Sequence, residues 1–175
     1  MLIYNGTDAS MMSAVNSVNS DTIKDYIFDA ISSRVKFDMS TASNMHIADE
    51  LESFINSVTI EVIIYYPRWR WSKAIGYFSP STPTKIFING YKRLTIADYI
   101  GVMYHEIVHM CDYFDDKHSY GHGNNSPTGK QNTAPYAIGN IAKSFLDGKP
   151  DYNDTGSGEL IYYISWWQRI LNFFR

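Results

Sequence analysis

The sequence predicts an α+β fold in which several helices pack against a small, mainly antiparallel sheet. Three observations lead there. Apolar residues recur at three- and four-residue intervals in several separate stretches, the period of a helix with one buried side. Short β-branched and aromatic runs, TIEVIIYY and KIFIN, break that pattern and read as strands. Between the extended pieces lies SPSTP, whose two prolines and serines mark a chain reversal and bring neighbouring strands together antiparallel.

In chain order, a polar Ser/Asn-rich start precedes a first helix over Asp21 to Ser33, with Ile23, Tyr26, Ile27, Ala30 and Ile31 on one side and Ser20 or Asp21 as N-cap. A second helix begins near Ser43 and presents Ile47, Leu51, Phe54 and Ile55. Thr59 to Tyr66 is a strand that Pro67 stops, and Ala74–Phe78 and Lys85–Asn89 are two more. Trp69, Arg70 and Trp71 alternate as the two faces of a half-buried strand would. Thr95 and Asp98 form a capping-box-like pair that opens a long helix to about Phe114, with Ile96, Ile100, Met103, Ile107, Met110 and Phe114 toward the core. After a polar, glycine-containing stretch, Pro135 suits the first turn of a helix carrying Ile138, Ile141, Ala142 and Phe145, which Gly148 and Pro150 end. Residues 1–150 thus form the main domain. Residues 151–175 comprise a linker, DYNDTGSG, and an aromatic helix, ELIYYISWWQRILNFFR, that packs on the domain or docks elsewhere.

Length and composition narrow the classes. One domain of 175 residues can bury a hydrophobic core, and 45% hydrophobic with 19% charged residues is ordinary for a globular chain. A net charge of −3 with scattered lysines and arginines gives no support for nucleic acid as a partner. No signal peptide and no run of about 20 apolar residues is legible, so the expectation is a soluble, cytoplasmic protein, or alternatively a component of a phage virion. The single cysteine, Cys111, reads as a small packed residue.

The chemistry concentrates in His105-Glu106-Ile107-Val108-His109. Two imidazoles one helical turn apart can reach one zinc ion, and the glutamate stands beside the water that ion would hold. The histidines lie roughly opposite Ile107, so they face a cleft while the other side anchors the helix. A catalytic zinc also needs a third protein ligand, and Asp112, Asp115, Asp116, His118 and His122 follow closely. His122 is favoured, because Gly121 and Gly123 flank it and can return the loop over the helix end, with His118 and Asp116 as alternatives.

HEIVH, the twelve residues Met110 through Gly121, and then His122-Gly123 resemble the HExxH…HG signature of the SprT-like zinc metallopeptidases, the group that includes Spartan. The resemblance spans roughly residues 58 to 145 and includes the KIFIN strand, the short connection and the capped helix before the motif. It implies a zincin-like fold, peptide hydrolysis, zinc ligands at His105, His109 and His122, and Glu106 as general base. The chain departs from the family after the motif, where NNSPTG delays the next helix, and it has no counterpart of the DNA-binding tail of Spartan.

From these groups Glu106 is expected to take a proton from a zinc-activated water, and Tyr120 or Tyr136 to supply a phenol to the developing oxyanion. Asp112 lies near His109 on the helix and can orient an imidazole. His46, alone in the second predicted helix, receives no role. The expected partner is a protein or peptide substrate that pairs with a free sheet edge. The competing expectation is a non-catalytic zincin-like interaction or assembly protein, for example a phage structural component, that docks through the aromatic C-terminal segment.

Overall fold

The computed structural model describes residues 1–33, 37–121 and 132–147; His122, the Gly148 and Pro150 stop signals and the aromatic C-terminal segment lie outside them. In chain order the elements are β1 (Leu2–Ile3), α1 (Ala9–Asn19), α2 (Asp21–Ser32), α3 (Asn44–Ser57), β2 (Ile60–Tyr65), β3 (Gly76–Phe78), β4 (Lys85–Asn89), α4 (Ile96–Phe114) and α5 (Ala134–Asp147). The class is α+β, as expected. Short polar side chains start the helices by accepting backbone N–H groups that have no partner within the helix: Asp8 from Met11, Ser43 from His46, and Thr95 from Asp98. At Thr95 the box is complete, since the Asp98 carboxylate also accepts the Thr95 N–H at 2.9 Å. Ser20, by contrast, caps α2 without a side-chain hydrogen bond.

Two elements were not expected. The polar start forms β1 and α1, and α1 buries Met11, Ala14, Val15 and Val18 at helical spacing beneath a surface of serines and asparagines. Those polar residues have poor helix propensity, so the burial of one stripe rather than propensity holds α1.

The sheet is mixed, not mainly antiparallel. Its strand order is β1-β2-β4-β3, with β1 and β4 both parallel to β2 and only β3 antiparallel to β4. The turn at SPSTP does make the expected β3–β4 hairpin, but the chain reverses twice between β2 and β4, so β4 returns parallel to β2 and displaces β3 to the edge. Burial explains the order. Ile86 and Ile88 of β4 are fully buried and belong in the middle of the sheet, whereas β3 has three residues, begins with glycine and has no fully buried side chain. Pairing places Val62 opposite Ile86 and Gly76 opposite Ile88, on the side of the sheet that faces the helices. On the opposite side, Tyr65, Tyr77 and Phe87 pack their rings together and Lys85 pairs with Glu61.

The helix α4 is the central column. Ile100, Met103, Ile107 and Met110 are fully buried as the spacing predicts, and so are Tyr104 and Val108, because α5 and α3 cover further sides. Ile96 and Phe114, expected in the core, are 36% and 52% exposed; they are the first and last residues of α4 and project past the layer that covers it. Cys111 is buried, as expected, and burial pushes its thiol pKa up. Three contacts in reversed order make α4 and α5 antiparallel: Asp98 with Lys143 at 2.6 Å, Gly101 with Gly139, and His105 with Tyr136. At the middle contact the backbones touch, since a Cβ on Gly101 would stand 2.9 Å from the Gly139 carbonyl oxygen. Trp69 and Trp71 do not alternate across a strand. They lie in the turn before β3 with rings 5.2 Å apart, and they are 56% and 76% exposed. No helix among the described residues is long and apolar enough to cross a membrane.

Candidate metal centre

His105, Glu106 and His109 sit in the middle of α4, where it passes between α5 and β3. The imidazoles are half-buried, and their Nε2 atoms stand 3.2 Å apart. Two nitrogens bound to one tetrahedral zinc at roughly 2.1 Å would be about 3.4 Å apart, so the pair fits a single ion with little adjustment. The spacing follows from i,i+4 placement on a helix that is held from both sides. The neighbouring glycines allow the close fit. A Cβ on Gly139 would approach the His105 Cβ to 3.2 Å, and a Cβ on Gly76 would stand 2.6 Å from Val102 Cγ1 and 3.5 Å from Glu106 Oε1.

Glu106 points into the protein and is 6% exposed. Burial raises its pKa to about 7, opposed by one backbone hydrogen bond from Phe78 on β3. A carboxyl that titrates near neutrality can both take and return a proton at working pH. Tyr136, in the first turns of α5, lays its ring against His105 with centroids 4.6 Å apart. Its hydroxyl pKa is raised, by burial first and by the Glu106 charge second, so the phenol keeps its proton and remains a donor.

Comparison with known proteins finds no matching protein family, curated protein or solved structure. The chemistry of the site therefore rests on these residues themselves.

The other sequence-derived candidates separate. Tyr120, expected as one of two oxyanion donors, is fully buried, and its hydroxyl donates to Asp115 Oδ2 at 3.2 Å, so that proton is directed to Asp115. Asp112 Oδ1 accepts the Tyr120 N–H at 2.8 Å and so ties the chain after α4 back to the helix. His118, the alternative third ligand, turns to Asp115, with Nδ1 3.1 Å from Oδ2, and its ring packs 4.4 Å from that of His46. Asp116, the other alternative, is exposed. His46, given no role from sequence, lies in the first turn of α3 with Nε2 2.6 Å from Asp115 Oδ2.

Sequence reasoning thus missed the His46–Asp115 contact, which joins residues 69 apart and leaves no local pattern. Asp115 had appeared only as one of several acidic ligand candidates. It is the C-cap of α4, and its Oδ1 accepts the N–H groups of Lys117 and His118 at 3.0 and 3.2 Å. Burial alone would raise its pKa, but hydrogen bonds from His46, Lys117 and His118 outweigh that and hold the carboxyl far below the usual range.

Proposed function

We propose that this chain is a zinc-dependent peptidase with a zincin-like active site, in which His105 and His109 hold the ion and Glu106 is the general base. The observation that carries the reading is the pair of imidazole nitrogens 3.2 Å apart beside a buried carboxyl raised to about pH 7. The likeness of the HEIVH…HG spacing to SprT-like peptidases points the same way. His122 is the third ligand in this reading, because His118 is engaged with Asp115 and His46.

Zinc, when bound, would lower the pKa of a coordinated water to about 7 and polarise the scissile carbonyl. The remaining work falls to the chain. Glu106, fixed by the Phe78 N–H, accepts the proton of the attacking water and returns it to the leaving amine. Tyr136, held against His105 by the crossing of α4 and α5, offers its phenol to the developing oxyanion. The edge strand β3, whose Phe78 meets Glu106, offers backbone groups with which an extended polypeptide can pair. The substrate class is therefore an unfolded or extended protein segment.

The zinc-supplemented chain should hydrolyse an unstructured polypeptide such as labelled casein, and the chelator-stripped chain should not. His122→Ala should abolish this activity, while His118→Ala should retain most of it. The opposite pattern would overturn the ligand assignment, and no hydrolysis by the zinc-loaded chain would overturn the function.

A further inference from the structure

At the exit of α4 a second set of metal-ligating groups converges, sharing no residue with the His105–His109 pair. One ring nitrogen each of His46 and His118 and an Asp115 carboxylate oxygen all lie within 4.8 Å of one another. The carboxylate is 7% exposed, while the His46 and His118 side chains are 32% and 34% exposed, so the anion is inside and the two imidazoles stand between it and solvent. We propose that His46, Asp115 and His118 form a second site for a divalent transition-metal ion of the zinc class, with a structural rather than catalytic role.

Several features favour a built site over chance proximity. The carboxylate is oriented in advance, since the Lys117 and His118 N–H groups fix Oδ1 and leave Oδ2 turned to the imidazoles and the Tyr120 hydroxyl. That hydroxyl is the kind of neighbouring hydrogen bond that steadies a metal-ligating carboxylate. Two imidazoles and one carboxylate match zinc, cobalt or nickel and not calcium or magnesium, which prefer all-oxygen sites. The imidazole nitrogens now lie 2.6 and 3.1 Å from Oδ2, whereas ligands of one ion at roughly 2.1 Å would be about 3.4 Å apart. The two imidazole–carboxylate distances would therefore open by less than 1 Å on binding, by about 0.8 Å at His46, whose ring is partly exposed.

The place of the site gives it a purpose. His46 belongs to α3, Asp115 to the end of α4, and His118 to the segment that leads on to His122. That segment is already laid on residues 38–42: the Thr41 N–H donates to the Ser119 carbonyl at 2.9 Å, and a Cβ on Gly121 would stand 2.6 Å from the Asp38 carbonyl oxygen. Gly121 has φ +89°, which a side chain would strain. An ion here would clamp α3 to this segment, from which the chain continues to His122. The site stands whether or not the chain is a peptidase.

The test is zinc content per full-length chain, measured by elemental analysis at buffered free zinc, for four forms: native, His105→Ala/His109→Ala, His46→Asn/His118→Gln, and all four substitutions combined. Expected are two ions, one, one and none. Circular dichroism establishes that each form is folded. A second readout avoids dependence on the altered His46 and His118: in the His105→Ala/His109→Ala chain, zinc should raise Tm and cobalt should give visible d–d absorption. Zinc lost entirely from that chain, with no Tm response to added zinc, would overturn the second site. Zinc kept only by that chain and absent from the His46→Asn/His118→Gln form would support it while removing the catalytic ion of the peptidase reading.

Discussion

Two carboxylates, Glu106 in the middle of α4 and Asp115 at its C-cap, are driven in opposite directions. Glu106 is pushed up to about 7, and Asp115 is held far below the usual range. Both lose hydration. Glu106 recovers one backbone N–H, from Phe78, whereas Asp115 recovers two imidazoles, a phenol and two backbone N–H groups. Depth and donor supply together decide whether a carboxyl is pushed up or held as a fixed anion: Glu106 lies in the core with one donor, Asp115 at the half-buried helix end with several. In the proposed function the middle of α4 does the chemistry, while its end attaches the segment that follows.

The comparison can be broken by substitution. At the site in the middle, Tyr136→Phe should lower kcat by roughly 10²–10³-fold with zinc affinity unchanged, as removal of an oxyanion donor does. Steady-state hydrolysis alongside a zinc titration measures both. Loss of zinc in that variant would make Tyr136 a support for His105 instead.

The raised pKa of Glu106 also has a sign in stability. Its native pKa lies above the unfolded value of 4.5, so the folded chain binds the extra proton, and stability is lost as pH rises from about 4.5 through about 7. In the zinc-free chain, Glu106→Gln should therefore stabilise the fold above pH 7 by about 3 kcal/mol and change little at pH 4. Urea unfolding at the two pH values tests this.

Asp115 carries the opposite sign. Its native pKa is below the unfolded value of 3.8, so its contribution is present above that pH and is lost as pH falls through the native pKa. Asp115→Asn should destabilise the metal-free chain by about 2 kcal/mol at pH 7, the cost of weakening several charge-assisted hydrogen bonds. The deficit should shrink in acid, and a deficit independent of pH would mean that packing and not charge holds the α4 exit. The smallest effect is expected at the start of the same helix, where Thr95→Ala should cost about 1 kcal/mol through the lost cap.

The parts of this arrangement that repeat locally were legible in the sequence. The core stripe Ile100, Met103, Ile107 and Met110, the Thr95–Asp98 box and the i,i+4 histidines all lie within one helix, so spacing alone locates them. The parts that depend on long-range pairing were not. The parallel register of β2 with β4 follows from which strand is buried on the sheet, and nothing within either run encodes direction. The helix α1 was hidden by its serines and asparagines, although Met11, Ala14, Val15 and Val18 keep the helical period. The Gly101–Gly139 contact and the His46–Asp115 pair join residues that only the folded chain brings together. The first lies beside the contact of Tyr136 with His105, and the second joins the cluster in which His118 meets Asp115.

In the proposed function Glu106 is the proton carrier of a zinc-dependent hydrolysis. The most direct measurement is the rate of casein cleavage by the zinc-loaded native chain and by Glu106→Gln, which keeps the shape and both histidines. A loss of roughly 10²–10⁴-fold with zinc still bound is the result the account predicts. Cleavage at the native rate by Glu106→Gln would contradict it.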